Sequence, residues 1–433
     1  MKRVLIVSPH FSPTNAPDMQ RTRLALPHLR AHGWEPTVLA VHPKMVEGGV
    51  NEPLLEQTYP HDLRIVRARG VAPAATRRFG FGSLWWRCGG ALRRAGDAIL
   101  GAEHFSAVLF STAQFGAFTL GPRWRRRYAV PYVLDYQDPW RTDYYRRTGT
   151  RPPGGRLKFG LSQLVARVRE PNVVGKAAAI IVTSPAYAGE LRRRYPAWHD
   201  SAIDYLPFGA SPLDLALAQE HPPKKPLIDF ADGNVHFVYA GRCGPAMRTA
   251  LSALFRAFAR FRTAHPGEAE RLRFHFIGTD YAPPPLGQES VMPWARAEGV
   301  EAQVREVCYR VPYFEVLHYL TRAHALLSLG TNDSSYAASK LVSYLLVQQP
   351  LLLVYHEKSP GLQLAQEIGG GAPIAFADET PIDTLAGRIE ETWFRDARWR
   401  QTPIASWSRL VPHLAETSTT RLAAVLDRVQ EDG

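Results

Sequence analysis

A doubly wound α/β protein of two domains is what this sequence predicts, on three observations. Short apolar stretches, each ending in polar residues, alternate with helical periods along the chain. A stretch containing Pro222-Pro223-Lys224-Lys225-Pro226, near residues 211–234, interrupts that rhythm, which then restarts. The length, 433 residues, exceeds what one hydrophobic core usually serves.

The first forty residues spell one β-loop-α-β unit. Val4-Leu5-Ile6-Val7 reads as a strand buried on both faces of a parallel sheet. A loop follows from Ser8 to Asp18. Leu24, Leu26 and Leu29 then mark a helix, Gly33 stops it, and Thr37 to Val41 is the next strand. Further strands are read at Ala107–Phe110, Tyr132–Asp135 and Ala179–Val182. Past the interruption they recur at His236–Ala240, Phe274–Ile277, Ala325–Leu329 and Pro350–Tyr355. Each ends in polar residues, and in open α/β sheets that carboxyl edge is where ligands bind. A pocket is therefore expected between the facing edges of the two domains.

Composition excludes several classes. Apolar stretches are too short and interrupted for a membrane-spanning helix of roughly 20 residues. Ser8-Pro9-His10 ends the first apolar run too early for a signal peptide. Three scattered cysteines, Cys88, Cys243 and Cys308, have no zinc spacing and read as reduced thiols of a cytoplasmic protein. Gly-x-Gly-x-x-Gly, Walker, zincin and Ser-elbow patterns are absent. Neither a metal nor a cofactor is expected.

The net charge of +12 is one-sided: residues 1–215 hold about 30 Lys and Arg against 16 Asp and Glu, and the rest is nearly neutral. A field confined to one half implies an anionic partner. Trp85, Trp86 and Trp124 stand beside arginines, as in Arg123-Trp124-Arg125-Arg126-Arg127, and Tyr145-Arg146 and Arg156-Leu157-Lys158 follow. Basic amphipathic helices edged with Trp lie on anionic membranes; a solvated helix surface whose aromatics face the core is the other reading. No nucleic-acid-binding module is visible, so nucleic acid is not expected.

Four segments at strand ends could carry chemistry. In Ser339-Lys340-Leu341-Val342-Ser343, Ser339 suits an N-cap and Lys340 the first helical position. A cation there opposes the helix dipole unless an anion sits over the helix start. Diphosphate is the natural anion; an exposed surface lysine is the plain alternative. Ser343 shares a face with Ser339 and could reach a ribose hydroxyl, or bond the preceding turn. Arg242 and Arg248, in a Gly/Pro loop, suit a diphosphate as guanidinium forks, or are a surface turn. Asp138, in Asp135-Tyr136-Gln137-Asp138-Pro139-Trp140, could orient a sugar or acceptor hydroxyl, or stabilise a turn. Asn15 and Asp18 occupy the first strand-to-helix loop.

On these residues the chain resembles the family-4-like retaining glycosyltransferases of GT-B fold, over nearly its whole length. Pro17 to Arg23 and Gly33 to Leu39 look like one bacterial branch, Asp135 to Trp140 like that branch's Asp-x-x-Asp-Pro-Trp turn, and Ser339 to Leu345 like the family's Ser-Lys-Leu-Phe-Glu-Tyr-Leu helix. The resemblance implies two Rossmann-like, doubly wound domains facing a central cleft: an N-terminal acceptor and membrane-side domain over 1–210, and a C-terminal nucleotide-sugar domain over 211–407. It also implies a C-terminal segment over 408–433, whose helix, about Ser408 to Gln430, returns to the first domain. A donor-binding set of Arg242, Arg248, Ser335, Tyr336, Ser339, Lys340 and Ser343, catalytic Asp138 and Gln137, and an acceptor-side loop with Asn15 and Asp18 follow from it. So does metal-independent, retaining transfer of a hexosyl group from a nucleotide sugar to a glycan or lipid-linked acceptor in polysaccharide biosynthesis, in the cytoplasm or at the inner face of the cell membrane. The sequence departs from the pattern at Ser335 and Ser343, where the family has glutamates. A neutral hydroxyl gives a bond of about 1 kcal/mol where a carboxylate gives about 1.5–3. Gln137 stands where relatives often have a basic residue, and Phe208 where many have Asn. A sugar-nucleotide epimerase on the same fold and a non-catalytic partner in polysaccharide assembly are the competing expectations.

Overall fold

In the computed structural model the described residues are 1–431 except 78–81, 144, 147–151, 153–154, 197–201, 281, 283–285, 335–339 and 402–404. The chain forms two compact units, Met1–Phe208 with Ala415–Gly433, and Gly209–Leu414.

The first unit is built on seven parallel strands: β1 (Lys2–Val7), β2 (Trp34–Val41), β3 (Arg64–Ala68), β4 (Ala107–Ser111), β5 (Tyr132–Tyr136), β6 (Ala179–Val182) and β7 (Ile203–Tyr205). Their order is β3-β2-β1-β4-β5-β6-β7. The direction of winding reverses between β1 and β4, the topological switch point of a doubly wound sheet. Val4 to Val7 and Val108 to Phe110 are fully buried, as strands covered on both faces must be. After α1 (Gln20–Leu29) a short 3₁₀ turn ends at Gly33, whose φ of 78° is left-handed, so a residue without Cβ turns the chain into β2.

The cations and aromatics of this unit are partly structural. Trp124, on α3 (Leu120–Tyr128), is fully buried and stacks on Phe110 with centroids 5.7 Å apart. Its indole N–H donates to Asp97 of α2 (Leu84–Ala102) at 2.9 Å, beside Arg123 at 3.1 Å. Arg87 is buried and donates to the Met45 and Val71 carbonyls. Trp85 is half-buried, its ring filling the space that a Cβ on Gly89 or Gly116 would need. Of the three tryptophans expected on a membrane face, only Trp86 is exposed. A buried Trp needs a hydrogen-bond partner for its N–H, and Asp97 provides that partner.

The second unit repeats the plan with β8 (Val235–Ala240), β9 (Leu272–Ile277), β10 (Val304–Val307), β11 (Ala325–Leu329), β12 (Leu351–His356) and β13 (Ala372–Phe376), ordered β10-β9-β8-β11-β12-β13 and parallel throughout. Its switch point lies between β8 and β11. Phe237, Phe274, Phe258 and Phe394 form the aromatic heart of its core, the closest pair 4.7 Å apart. Each such side chain contributes about 1.5–3 kcal/mol by burial. Two helices of this unit bear on the site, α5 (Arg248–Ala264) and α6 (Leu341–Val347).

The C-terminal helix α7 (Ala415–Glu431) belongs to the first unit. It starts later than Ser408: Trp407–Leu410 is a separate short helix, and Pro412 stands in the 3₁₀ turn between the two, where it cannot continue an α-helix. Asp427 accepts from the Trp34 indole at 2.9 Å and pairs with Lys2; Arg421 donates to the Tyr205 carbonyl at 2.6 Å, and Arg428 pairs with Asp204.

Candidate functional site

Each unit gathers polar groups at its own switch point. In the first, Asp18 is buried and accepts from Thr112 Oγ1 at 2.8 Å and from the Ala113 N–H at 3.1 Å. Its other oxygen lies 2.8 Å from His10 Nδ1. His10 follows β1 and Thr112 follows β4, so the carboxylate bridges the two strands at which winding reverses. Burial pushes the Asp18 carboxyl up, but the hydrogen bond and charge of His10, with Thr112 and Ala113, bring it below the ordinary value. Asp18 therefore stays ionised and fixes the imidazole. The Nδ1 side of His10 is committed to it, which leaves Nε2 as the ring atom for chemistry. His10 is the group that reading the sequence missed; its signal was a histidine three residues past the first buried strand.

Asp135, at the end of β5, accepts from Arg21 Nε and Ser111 Oγ, both at 2.8 Å. Arg21 also donates to the Leu206 carbonyl at 2.6 Å and lies over the Phe208 ring at 5.0 Å. Phe208 thus has a partner of its own. Gln137 is buried, and its Nε2 lies 2.8 Å from Asp135 Oδ2, 3.0 Å from the Asp18 carbonyl and 3.1 Å from Ser111 Oγ. That amide is turned inward and holds the loop in place. Asp138 is exposed, yet its carboxyl is raised to about 6, first by desolvation from the protein around it and then by the charge of Asp18. Asn15, in the loop after β1, bonds Glu52, and Gln20 donates to it at 3.0 Å.

In the second unit, the Lys340 ammonium donates to the Ala240 carbonyl at the end of β8, at 3.3 Å. Lys340 precedes α6 instead of occupying its first position, and Ser335, Tyr336 and Ser339 lie outside the described residues. Gly241, next to Ala240, has φ 154°, and a Cβ there would come within 3.3 Å of the Lys340 ammonium. Tyr344, which sequence reading passed over, closes the same corner. Its oxygen receives the Ala240 N–H at 2.7 Å and lies 3.1 Å from the Ala240 carbonyl. Lys340 as a residue is exposed, but desolvation of its ammonium, with repulsion from Arg310, lowers its pKa to about 8. Among the described residues no carboxylate pairs with it. Arg242, in the loop after β8, is exposed, and Arg248 at the start of α5 is exposed with its guanidinium 5.7 Å from the Trp294 ring centre. Ser343 is half-buried on α6. Strand ends thus bring Lys340 to the Gly241–Arg242 loop, a cationic corner suited to an anion.

No protein-family model and no curated protein matches the chain. Solved structures do. Anabaena HepE in complex with UDP and glucose matches with a TM-score of 0.56 and 13% identity, over 100% of this chain and 98% of that one. Sucrose-phosphate synthase from Thermosynechococcus elongatus gives 0.60 and 15%, over 100% of both chains. A UDP-forming trehalose-phosphate synthase from Burkholderia xenovorans gives 0.57 and 12%, over 99% of both. The fold is GT-B. The two Rossmann-like units of this GT-B chain account for the two switch points. Among the described residues no helix is long and apolar enough to cross a membrane, and no three His, Cys, Asp or Glu groups are placed to hold a metal ion.

Proposed function

We propose that the chain is a glycosyltransferase that uses a nucleotide sugar. The observation that carries this reading is the Lys340 ammonium, held against the Ala240 carbonyl at the switch point of the second unit with no carboxylate paired to it among the described residues. A donor diphosphate supplies the missing counter-charge, with Arg242 and Arg248 as further cations and Ser343 toward the ribose. These side chains would neutralise the leaving diphosphate where other enzymes use a metal. HepE, similar in fold, was solved with UDP and glucose, which makes a uridine nucleotide the first donor to try. The acceptor is a glycan or lipid-linked hydroxyl brought to the first unit, where Asp138 would orient it.

Retention of anomeric configuration is what the resemblance implies. The His10–Asp18 pair favours a second route. His10 Nε2 takes the acceptor proton while the acceptor oxygen bonds the anomeric carbon and the bond to diphosphate breaks, inverting the centre. The anomer of the product separates the two.

Ser335 and Ser343 favour a non-catalytic role more than glutamates would, and a putative UDP-N-acetylglucosamine 2-epimerase from Listeria monocytogenes also shares the fold, with a TM-score of 0.52 and 11% identity. Incubation with UDP-, GDP- and ADP-sugars tests all three. Nucleoside diphosphate release that depends on an added acceptor supports transfer, acceptor-independent epimer or free sugar supports the epimerase, and no turnover of any donor contradicts both.

A further inference from the structure

The helix α4 (Arg156–Val174) of the first unit has two apolar faces. Ala166, Glu170, Val173 and Val174 face inward and are buried. On the opposite side Leu157 is 93% exposed, Leu161 64%, Leu164 57%, Val165 45% and Val168 68%. Their spacing of four, three, one and three residues puts them on one stripe of the helix. That stripe runs down most of a helix roughly 28 Å long at 1.5 Å per residue. Isolated exposed leucines are ordinary, but a contiguous stripe marks an interaction surface.

The flanks of the stripe say what covers it. At 100° per residue, Lys158 and Arg169 fall along one side of the stripe and Arg156 and Arg167 along the other. All four are exposed, and among the described residues none is paired with a carboxylate. The helix carries one acid, Glu170, which is buried under Arg194 at 3.1 Å and the Tyr195 hydroxyl at 2.7 Å. A second copy of the chain seated on this face by a two-fold axis would bring eight such cations together with no exposed acid of either helix to offset them. An anionic bilayer does the reverse: phosphates meet the flanking cations while the five apolar side chains enter the acyl boundary.

We infer that α4 is a membrane-docking helix that lies along the surface of an anionic bilayer. Arg156-Leu157-Lys158, at the start of α4, is one of the basic segments that the sequence singled out; Trp124, in another of them, is buried. The docking rests on no assumption about the donor nucleotide, and its test needs none.

The experiment is co-sedimentation of the full chain with phosphatidylcholine vesicles and with vesicles containing phosphatidylglycerol, at low and high salt, beside size-exclusion chromatography with light scattering. Two variants accompany the wild type: Leu161→Gln with Val168→Gln, and Arg156→Gln with Lys158→Gln and Arg167→Gln. All five positions are exposed, so circular dichroism and melting temperature should match wild type, and a variant that melts early is replaced by Leu157→Gln alone. The expected result is binding to the anionic vesicles only, weakened by salt, and a partition coefficient lowered about tenfold or more in each variant. Binding equal in the variants and the wild type, binding to neutral vesicles no weaker than to anionic ones, or no vesicle binding at all, with or without a dimer that the apolar variant dissolves, would each overturn the inference.

Discussion

The ammonium of Lys340 donates to the carbonyl of Ala240 at 3.3 Å, at the point where the second sheet reverses its winding. A cation so placed costs stability in the nucleotide-free protein, because its desolvation is offset by a carbonyl dipole and not by a charge. Lys340→Met should therefore raise the melting temperature at pH 7. The sign of the pH dependence follows from the lowered pKa of about 8. Between that value and the ordinary 10.5 the folded chain binds fewer protons than the unfolded one, so the penalty is full at pH 7 and fades as pH rises through 8. The gain in the variant should shrink over the same interval, measured by thermal unfolding from pH 7 to pH 10.

His10→Ala should leave nucleoside diphosphate affinity unchanged and lower the turnover number by about 10²–10⁴-fold if His10 accepts the acceptor proton. Steady-state kinetics with calorimetry on the same variant measure both. A variant of full activity removes the inverting route and leaves retention.

Asp138→Asn should stabilise the fold near neutral pH. The Asp138 carboxyl, raised to about 6, binds a proton in the folded state that the unfolded state releases above 3.8. Stability contributed by that proton is present below 3.8 and lost as pH rises through 6. The variant should melt higher than wild type at pH 7.5 and at the same temperature near pH 3.5.

Gly96→Ala tests the packing that removed Trp124 from the surface. A Cβ there would lie 2.2 Å from the Trp124 ring, and that ring is locked to Asp97 by its N–H. Overpacking of this kind costs about 1–3 kcal/mol, more than the roughly 1 kcal/mol that Ala gains over Gly in a helix. Denaturant unfolding should show a lower midpoint with an unchanged slope.

The central strands were legible because burial on both faces leaves unbroken apolar runs, as in Val4–Val7 and Leu351–Tyr355. The edges were not. Arg64-Ile65-Val66-Arg67 and Val304-Arg305-Glu306-Val307 carry charges because one side of an edge strand meets solvent, so neither spells a buried strand. Glu306 has a further task, accepting the N–H groups of Val291 and Met292, both at 3.0 Å, where a short helix begins. At the sites, sequence pattern marked the loops after β1, β5 and β8 but not which side chains turn outward. Gln137 and Asn15 stand in polar loops in the sequence, which does not show their partners, Asp135 behind a turn and Glu52, 37 residues on. His10 stood in plain view beside the first strand, but its importance depends on Asp18 eight residues later and Thr112 on another strand.

Calorimetric titration of the full chain with UDP, GDP and ADP, beside Lys340→Ala, bears on the donor site most directly. One of the three should bind wild type, and the variant should bind it about ten- to a hundredfold more weakly, the loss of a charge-assisted contact of about 1.5–3 kcal/mol. Wild-type protein that binds none of the three, or a Lys340→Ala variant with unchanged affinity, would contradict the account.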